Sequence, residues 1–454
     1  MIGVNREDAR PSAHGSHLSS EVLRPGLLTT VQDRGRSGYQ KFGVPVSGAV
    51  DAIALRVANV LVGNPQGAAA LEMTALGPEL RFAADAVVAL TGAEVEASLD
   101  GGPVLSYQSF LVRAGQVLDV RSCTRGLRAY LAVAGGIDVP VLLGSRSTCL
   151  VARFGGFLGR ALLAGDVLRV GSPPGPLQDL AGRQVPEEWR PRHGVPVTAR
   201  VVLGPQEDAF TEAGRRTFLE SEYRVTPYAD RMGYRLDGPG IAHRNSADII
   251  SDWIPLGGVQ VPGDGKPIIL LADRQTTGGY PKIATVVGPD IGRVAQLRPG
   301  DALSFRAVSV AQAQRIAHEL EAGLALLPAR LVLGDSWTYA AELGEVPGGV
   351  VLPSLGRPQE SPRTLADPEG HAAVRSPMPA LVAKVLIRTG EGATAGQPLF
   401  VLQAMKMEFE VAAPQAGRVA DVRVREGDEV GVGEIMATLD TSDLVGRWDH
   451  RSLR

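Results

Sequence analysis

The chain has 454 residues with 46 Lys and Arg against 49 Asp and Glu, a formal net charge of -3, and only 5% aromatic residues beside 55 glycines and 32 prolines. That length exceeds one ordinary core, so two to four domains are expected, and the glycine and proline content favours turn-rich β architecture over long helices. Balanced charge without a dense Lys/Arg run argues against a nucleic-acid partner, and no apolar run reaches the roughly 18–20 residues of a membrane-spanning helix.

Residues 1–20 are polar and lack the apolar stretch of a signal peptide, so they read as a disordered tail on a cytoplasmic protein. Cys123 and Cys149 are the only cysteines and form no CxxC pair; a disulfide fits, but the reading adopted is two reduced thiols. The seven histidines are scattered and no HExxH or Cys/His cluster occurs, so no metal site is expected.

Residues 21–171 read as the first β-rich half of a larger domain. Gln32, Asp33 and Arg36 put an amide, a carboxylate and a fixed cation within five positions. Such a group can hold a carboxylate or ureido oxygen through the arginine fork, or staple its own turn. Residues 51 to 62 have helical spacing, with Asp51 as cap and 63 to 65 as terminator; Asn59 is either a packed polar residue or a ligand. Short apolar runs then alternate with glycine-rich turns, none of which is a GxxxxGK[ST] or GxGxxG loop.

Proline-rich residues 172–198 read as a linker, and 199–308 as a second β half. There Arg231 lies in a dense polar motif and Gln260 follows Val259. A continuous apolar run over 268 to 272 delivers the polar stretch 273 to 282, which includes Tyr280 and Lys282. A buried strand feeding such a cluster suits chemistry or a structural turn network. Residues 309–373 begin with a helix over 309 to 323, where Ser309 and Gln312 make a capping-box start, and continue as a glycine- and proline-rich tether.

Residues 374–440 carry an internal repeat: Pro377, Gly390, Gly396 and Leu402 recur as Pro414, Gly427, Gly433 and Leu439, each 37 positions on. Neither copy can bury its apolar face alone, so a flattened β-sandwich is expected, followed by a tail over 441–454. Between the copies lies Ala404-Met405-Lys406-Met407, flanked by alternating runs over 397 to 403 and 407 to 413, which places Lys406 at a hairpin tip.

On these residues the C-terminal segment resembles a biotinyl carrier domain, related to lipoyl domains. The resemblance implies biotin in amide linkage on Lys406, with Met405 and Met407 flanking the attachment. Gln403 and Ala380 depart from the residues common there. Residues 21 to about 310 resemble the family named allophanate hydrolase subunit 2, also known as the C component of 5-oxoprolinase, and one half of the carboxyltransferase region of urea carboxylase. Residues 30 to 36, 48 to 51, 58 to 64, 144 to 148, 230 to 236 and 273 to 282 carry that likeness.

The combined resemblance implies a mainly β protein whose second half is a cyclophilin-like β-barrel. It further implies a carboxyl group passed from carboxybiotin to a nitrogen or carbon acceptor. Transfer needs fixed donors for the ureido oxygen, a group to position the acceptor and one to manage its proton. Arg36, Arg231 and Gln260 are the donor candidates, with Gln32 beside them. Asp33 and Asp51 are candidates for acceptor binding or proton transfer, and Tyr280 and Lys282 for either. ATP would be used only by a separate biotin carboxylase; a subunit 1, a biotin ligase and a small-molecule acceptor complete the expected partners. A regulatory protein that binds such a subunit without catalysis is the alternative, opposed by the fused carrier.

Overall fold

The computed structural model describes residues 19–194, 196–333, 371–377, 379–404, 407–431 and 433–440. The expected tether over 353 to 370 and Lys406 itself lie outside them, as does residue 405. The first strand, Ser19–Arg24, begins two residues inside the segment read as a tail, because Ser20 pairs with Phe82 and Ser19 with Arg169.

Nine strands form the N-terminal sheet around two long ones, Ala86–Leu99 and Val117–Val133. Successive side chains alternate between faces. Val88, Leu90, Leu131 and Val133 therefore enter one core, while Val87, Ala89, Tyr130 and Ala132 enter another on the opposite face. Helix Ala52–Leu61 covers that second face, and Asp51 caps it by accepting from the Ala54 N–H at 3.0 Å. Asn59 is a packed residue, donating to the Ala68 carbonyl at 2.8 Å and accepting from Asn64 at 3.0 Å.

The second half is a closed barrel of seven strands. Val197–Leu203 lies between Lys282–Val286 and, in parallel, Ala302–Ala307; Tyr223–Val225, Gly233–Asp237, Ile268–Leu270 and Gly258–Gln260 complete the circuit. The proline-rich segment before it packs on the body: Leu180 and Val185 are buried with helix Ala52–Leu61. The capping box at Ser309 and Gln312 is present, but the helix spans Val310–Arg330 and passes the Gly323 at which it was expected to end. Leu324 and Leu327 are buried in the second core, and Arg56 grips Glu321 at 2.6 and 2.8 Å, so tertiary packing carries the last two turns.

The C-terminal domain consists of two four-stranded sheets. One contains His371–Arg375, Ile435–Asp440, Gly417–Val422 and Gly392–Ala393; the other contains Met407–Ala412, Pro398–Ala404, Ala380–Val385 and Glu429–Val430. A shift of 37 residues takes 380–385 onto 417–422, 392–393 onto 429–430 and 398–403 onto 435–440. Each sheet thus draws strands from both copies of the repeat, and Leu402 and Leu439 are both fully buried. Cys123 and Cys149 are free and buried. No helix among the described residues is long and apolar enough to cross a membrane.

Candidate active site

The two halves of the large domain meet along a polar seam, and most of the expected site residues line it. The loop from Asp33 to Asp51 belongs to the first half and runs against 272–282 of the second. Ser47 N–H donates to the Ala272 carbonyl at 3.1 Å, and Gln40 Nε2 donates to Ile254 and Thr276 carbonyls at 3.0 and 3.2 Å. Backbones cross closely here: a Cβ on Gly35 would lie 2.7 Å from the Ser47 carbonyl oxygen, and one on Gly48 would lie 2.7 Å from Gly35 N. Both glycines have positive φ, +83 and +89, which a side chain would strain in any case.

Asp33 organises this loop. Its carboxylate accepts from Gly35 N–H at 2.8 Å, Ser145 Oγ at 2.6 Å, Ser147 Oγ at 2.5 Å and Arg146 N–H at 2.6 Å. The glycine-rich turn 144–148, which is no phosphate loop, is the partner that fixes Asp33. The stapled-turn alternative therefore describes Asp33, whose acceptor capacity is filled by its own protein.

Arg36 is different. It is 1% exposed, stacks over the Phe154 ring at 4.6 Å and donates from Nη2 to the Ser147 carbonyl. Nε and Nη1 have no hydrogen-bond partner among the described residues, and neither have Ser47 Oγ and Gln32 Oε1, all of them buried. Burial pulls the guanidinium below the usual arginine range, while Cys149, Asp33 and Asp273 act in the opposite sense. Gln32 is held through Nε2 by Thr30 Oγ1 at 3.0 Å and the Thr148 carbonyl at 3.2 Å.

Arg231, expected to serve as a donor for developing charge, is instead committed to the seam. Nε and Nη2 pair with Asp273 at 2.8 and 3.3 Å, Nη1 with Glu72, and Nη2 with the Gly48 carbonyl at 2.8 Å. Four of its five N–H donors are thereby engaged. Coulomb attraction to Asp273 and Glu72 raises its pKa despite burial, so it stays charged.

Gln260 and Lys282 sit on adjacent barrel strands. Gln260 Nε2 donates to the Tyr280 carbonyl at 3.2 Å, and Lys282 Nζ forms an ion pair with the Asp252 carboxylate at 3.1 Å. Tyr280 is 40% exposed and accessible to solvent. Asp51 opens elsewhere, on a cavity of about 860 Å³ lined by none of Gln32, Arg36, Gln260 or Lys282.

Sequence reasoning passed over Glu72, Ser47 and Arg274. Glu72 had a usable signal, a lone carboxylate inside the apolar strand Ala70–Thr74. Ser47 and Arg274 had none beyond their stretch. Arg274 is buried, has no carboxylate partner among the described residues, donates to the Ile254 and Leu271 carbonyls, and has its pKa pulled down to about 10 by burial.

Residues 42–307 match the family described as carboxyltransferase domain, subdomain A and B. The chain belongs to that family. Residues 372–439 match the family described as biotin-requiring enzyme. The chain is 38% identical over 311 residues to the C component of 5-oxoprolinase from Haemophilus influenzae, covering 66% of this chain and 95% of that protein. Against the crystal structure of K. lactis urea amidolyase the identity is 31% and the TM-score 0.66, over 71% of this chain and 21% of that one. The chain thus spans about a fifth of the amidolyase. Its C-terminal domain is 41% identical over 64 residues to the biotin carboxyl carrier protein of Streptococcus mutans, 14% of this chain and 49% of that protein.

The carboxyltransferase-family chain therefore carries a C-terminal biotinyl domain, and its cofactor is covalent biotin. The described strands of the carrier domain fit that attachment. Strands Pro398–Ala404 and Met407–Ala412 pair up to Ala404 and Met407, leaving two residues between them, the second of which is Lys406.

Proposed function

We propose that the chain is a biotin-dependent carboxyltransferase subunit that carries its own biotin on Lys406 and serves a small nitrogen-containing acceptor at the seam. The observation that carries this reading is the group of buried polar atoms without partners at Arg36, Ser47 and Gln32. Leaving such an atom unsatisfied costs roughly 1–3 kcal/mol, so a buried guanidinium with two idle donors is suited to receive something else.

Biotin, when attached, supplies a ureido nitrogen that carries and releases a carboxyl group. The residues of this chain bind and orient. Arg36 offers Nε and Nη1 to an oxygen that gains negative charge, at a buried position where fixed donors act strongly. Ser47 Oγ can donate or accept, and Gln32 Oε1 accepts an N–H from the acceptor. Asp33 and the 145–147 turn hold that loop in place, while Arg231 and Asp273 fix the facing wall. The acceptor classes compatible with this donor set are urea, an amide or guanidine relative, and 5-oxoproline.

The work of charging biotin with ATP and bicarbonate falls to a partner biotin carboxylase, and a subunit 1 supplies the remaining half of the transferase, making a cytoplasmic hetero-oligomer. The test begins with intact mass after co-expression with a biotin ligase. A biotin-sized increase in the wild type that is absent in Lys406→Arg supports the reading, and transfer to each acceptor is then assayed with the partners present. A folded carrier domain that gains no mass beside an active ligase would sink it.

A further inference from the structure

The cavity of about 860 Å³ is separate from the seam residues just described, and its lining has a definite chemical order. It is walled by the start of helix Ala52–Leu61, by residues 188–189, 191–194 and 196–197 between the two halves, by helix Gly288–Ala295 with the turn after it, and by helix Val310–Arg330. Its volume falls within the range of about 300–1,000 Å³ seen for small-molecule pockets.

The floor is acidic and buried. Asp51 and Gln296 are each 6% exposed. Asp51 accepts from Ala54 N–H and from Gln296 Nε2 at 2.8 Å, and it has no ion-pair partner among the described residues. Gln296 is otherwise occupied by the backbone at 127 and 128, so it holds the carboxylate in place. Gly292 leaves room for it: a Cβ there would lie 2.5 Å from Asp51 Oδ1. His193 also lines the cavity and donates its Nε2 hydrogen to the Gly92 carbonyl at 2.9 Å, which leaves Nδ1 as an acceptor.

The mouth carries both signs with arginines in excess, since Glu188, Asp301 and Glu319 line the cavity beside them. Arg298 is tied to the Gly126 and Cys123 carbonyls, and Arg330 to Glu188. Arg192 and Arg293 also line the cavity, and neither side chain has an ion-pair or hydrogen-bond partner among the described residues. Between floor and mouth runs an apolar wall that includes Ile53, Val57, Trp189 and Leu320.

We infer that this cavity is a binding site for an organic acid of dipeptide size that carries an N–H donor, with its N–H on Asp51, its apolar body along Trp189 and its carboxylate on Arg192 and Arg293. This assignment stands apart from the carboxyl-transfer reading, since none of the residues proposed to act at the seam contributes to it. It has a structural consequence for the seam, however. The Asp51 N–H donates to Tyr130 Oη at 2.8 Å, and Tyr130 donates to Glu72 at 2.7 Å, the partner of Arg231. An occupant on Asp51 therefore bears on the residues that hold the two halves together.

The test is isothermal titration calorimetry of the full chain with N-acetyl-L-phenylalanine, its methyl ester, which lacks the carboxylate, and 3-phenylpropionate, which lacks the amide. Saturable binding of the acid is expected, with each analogue weaker by about tenfold or more, a loss of one good polar contact. Arg192→Ala with Arg293→Ala changes two surface side chains and should weaken the acid by a similar factor with the thermal midpoint unchanged. Absence of saturable binding at millimolar acid overturns the assignment. Equal binding of acid and ester, or of wild type and double variant, overturns it as well.

Discussion

Arg231 of the barrel and Glu72 of the N-terminal sheet form an ion pair across the seam, with side chains only 5% and 1% exposed, and Asp273 closes on the same guanidinium at 2.8 Å. One buried cation thus serves two buried carboxylates drawn from opposite halves. Arg231→Ala would strand both and is expected to destabilise the large domain by about 3–5 kcal/mol, as removal of one partner from a buried pair does. Arg231→Met combined with Glu72→Gln and Asp273→Asn removes the charges together and should lose less. Urea denaturation followed by tryptophan fluorescence distinguishes the two; an equal loss in both variants would show that packing, not charge, is what Arg231 supplies.

Arg36 predicts the opposite division between stability and activity. Its Nη2 bond to Ser147 and its place over Phe154 are worth about 1–2 kcal/mol together, but Nε and Nη1 stabilise nothing in the unliganded chain. Arg36→Ala should therefore shift the unfolding midpoint modestly while lowering kcat for transfer by about 100-fold or more, the usual cost of losing a fixed donor to developing charge. Arg36→Lys retains charge but not the fork, and is expected to fall between. A variant that unfolds readily yet transfers normally when folded would remove Arg36 from the site.

The legibility of these features in the sequence follows from how local each one is. The Asp51 cap, the Ser309–Gln312 box and the 37-residue repeat depend on neighbours or on exact recurrence, and pattern alone reveals them. The end of the last helix depends on Leu324, Leu327 and Arg56, residues remote in sequence, and spacing had placed it at Gly323. The same distinction separates Arg36 from Arg231. Both are arginines in dense polar motifs, but only the 159 positions between Arg231 and Glu72, closed by the fold, decide that one is a clamp and the other a free donor. A motif announces that a residue is constrained; its partners decide for what.

Asp51 gives a pH dependence whose sign is fixed by its burial. Desolvation raises its pKa, with the Gln296 and Ala54 hydrogen bonds opposing. A carboxyl that holds its proton more tightly in the folded than in the unfolded chain contributes stability below the unfolded pKa, about 3.9, and loses it as pH rises through the higher folded value. Unfolding free energies of wild type and Asp51→Asn, measured from pH 4 to pH 8, should diverge with the wild type falling relative to the variant as pH increases. Asparagine keeps the capping oxygen, so helix Ala52–Leu61 is preserved in both. Parallel curves would mean that Asp51 is not desolvated as its 6% exposure indicates.

The carrier domain yields a symmetric prediction. Gly390 and Gly427 have φ of +89 and +93 with open space where a Cβ would stand, so alanine at either meets backbone strain alone, about 1–2 kcal/mol. Gly390 N–H bonds the Val419 carbonyl and Gly427 N–H bonds the Val382 carbonyl, both at 2.8 Å, and 382 and 419 are themselves 37 apart. Each copy of the repeat is therefore closed by a hydrogen bond to the other. Gly390→Ala and Gly427→Ala should each speed amide hydrogen exchange in both Pro398–Ala404 and Ile435–Asp440 of the full chain, and by similar factors. Exchange that quickens in only one of these two equivalent strands would show that the copies unfold independently.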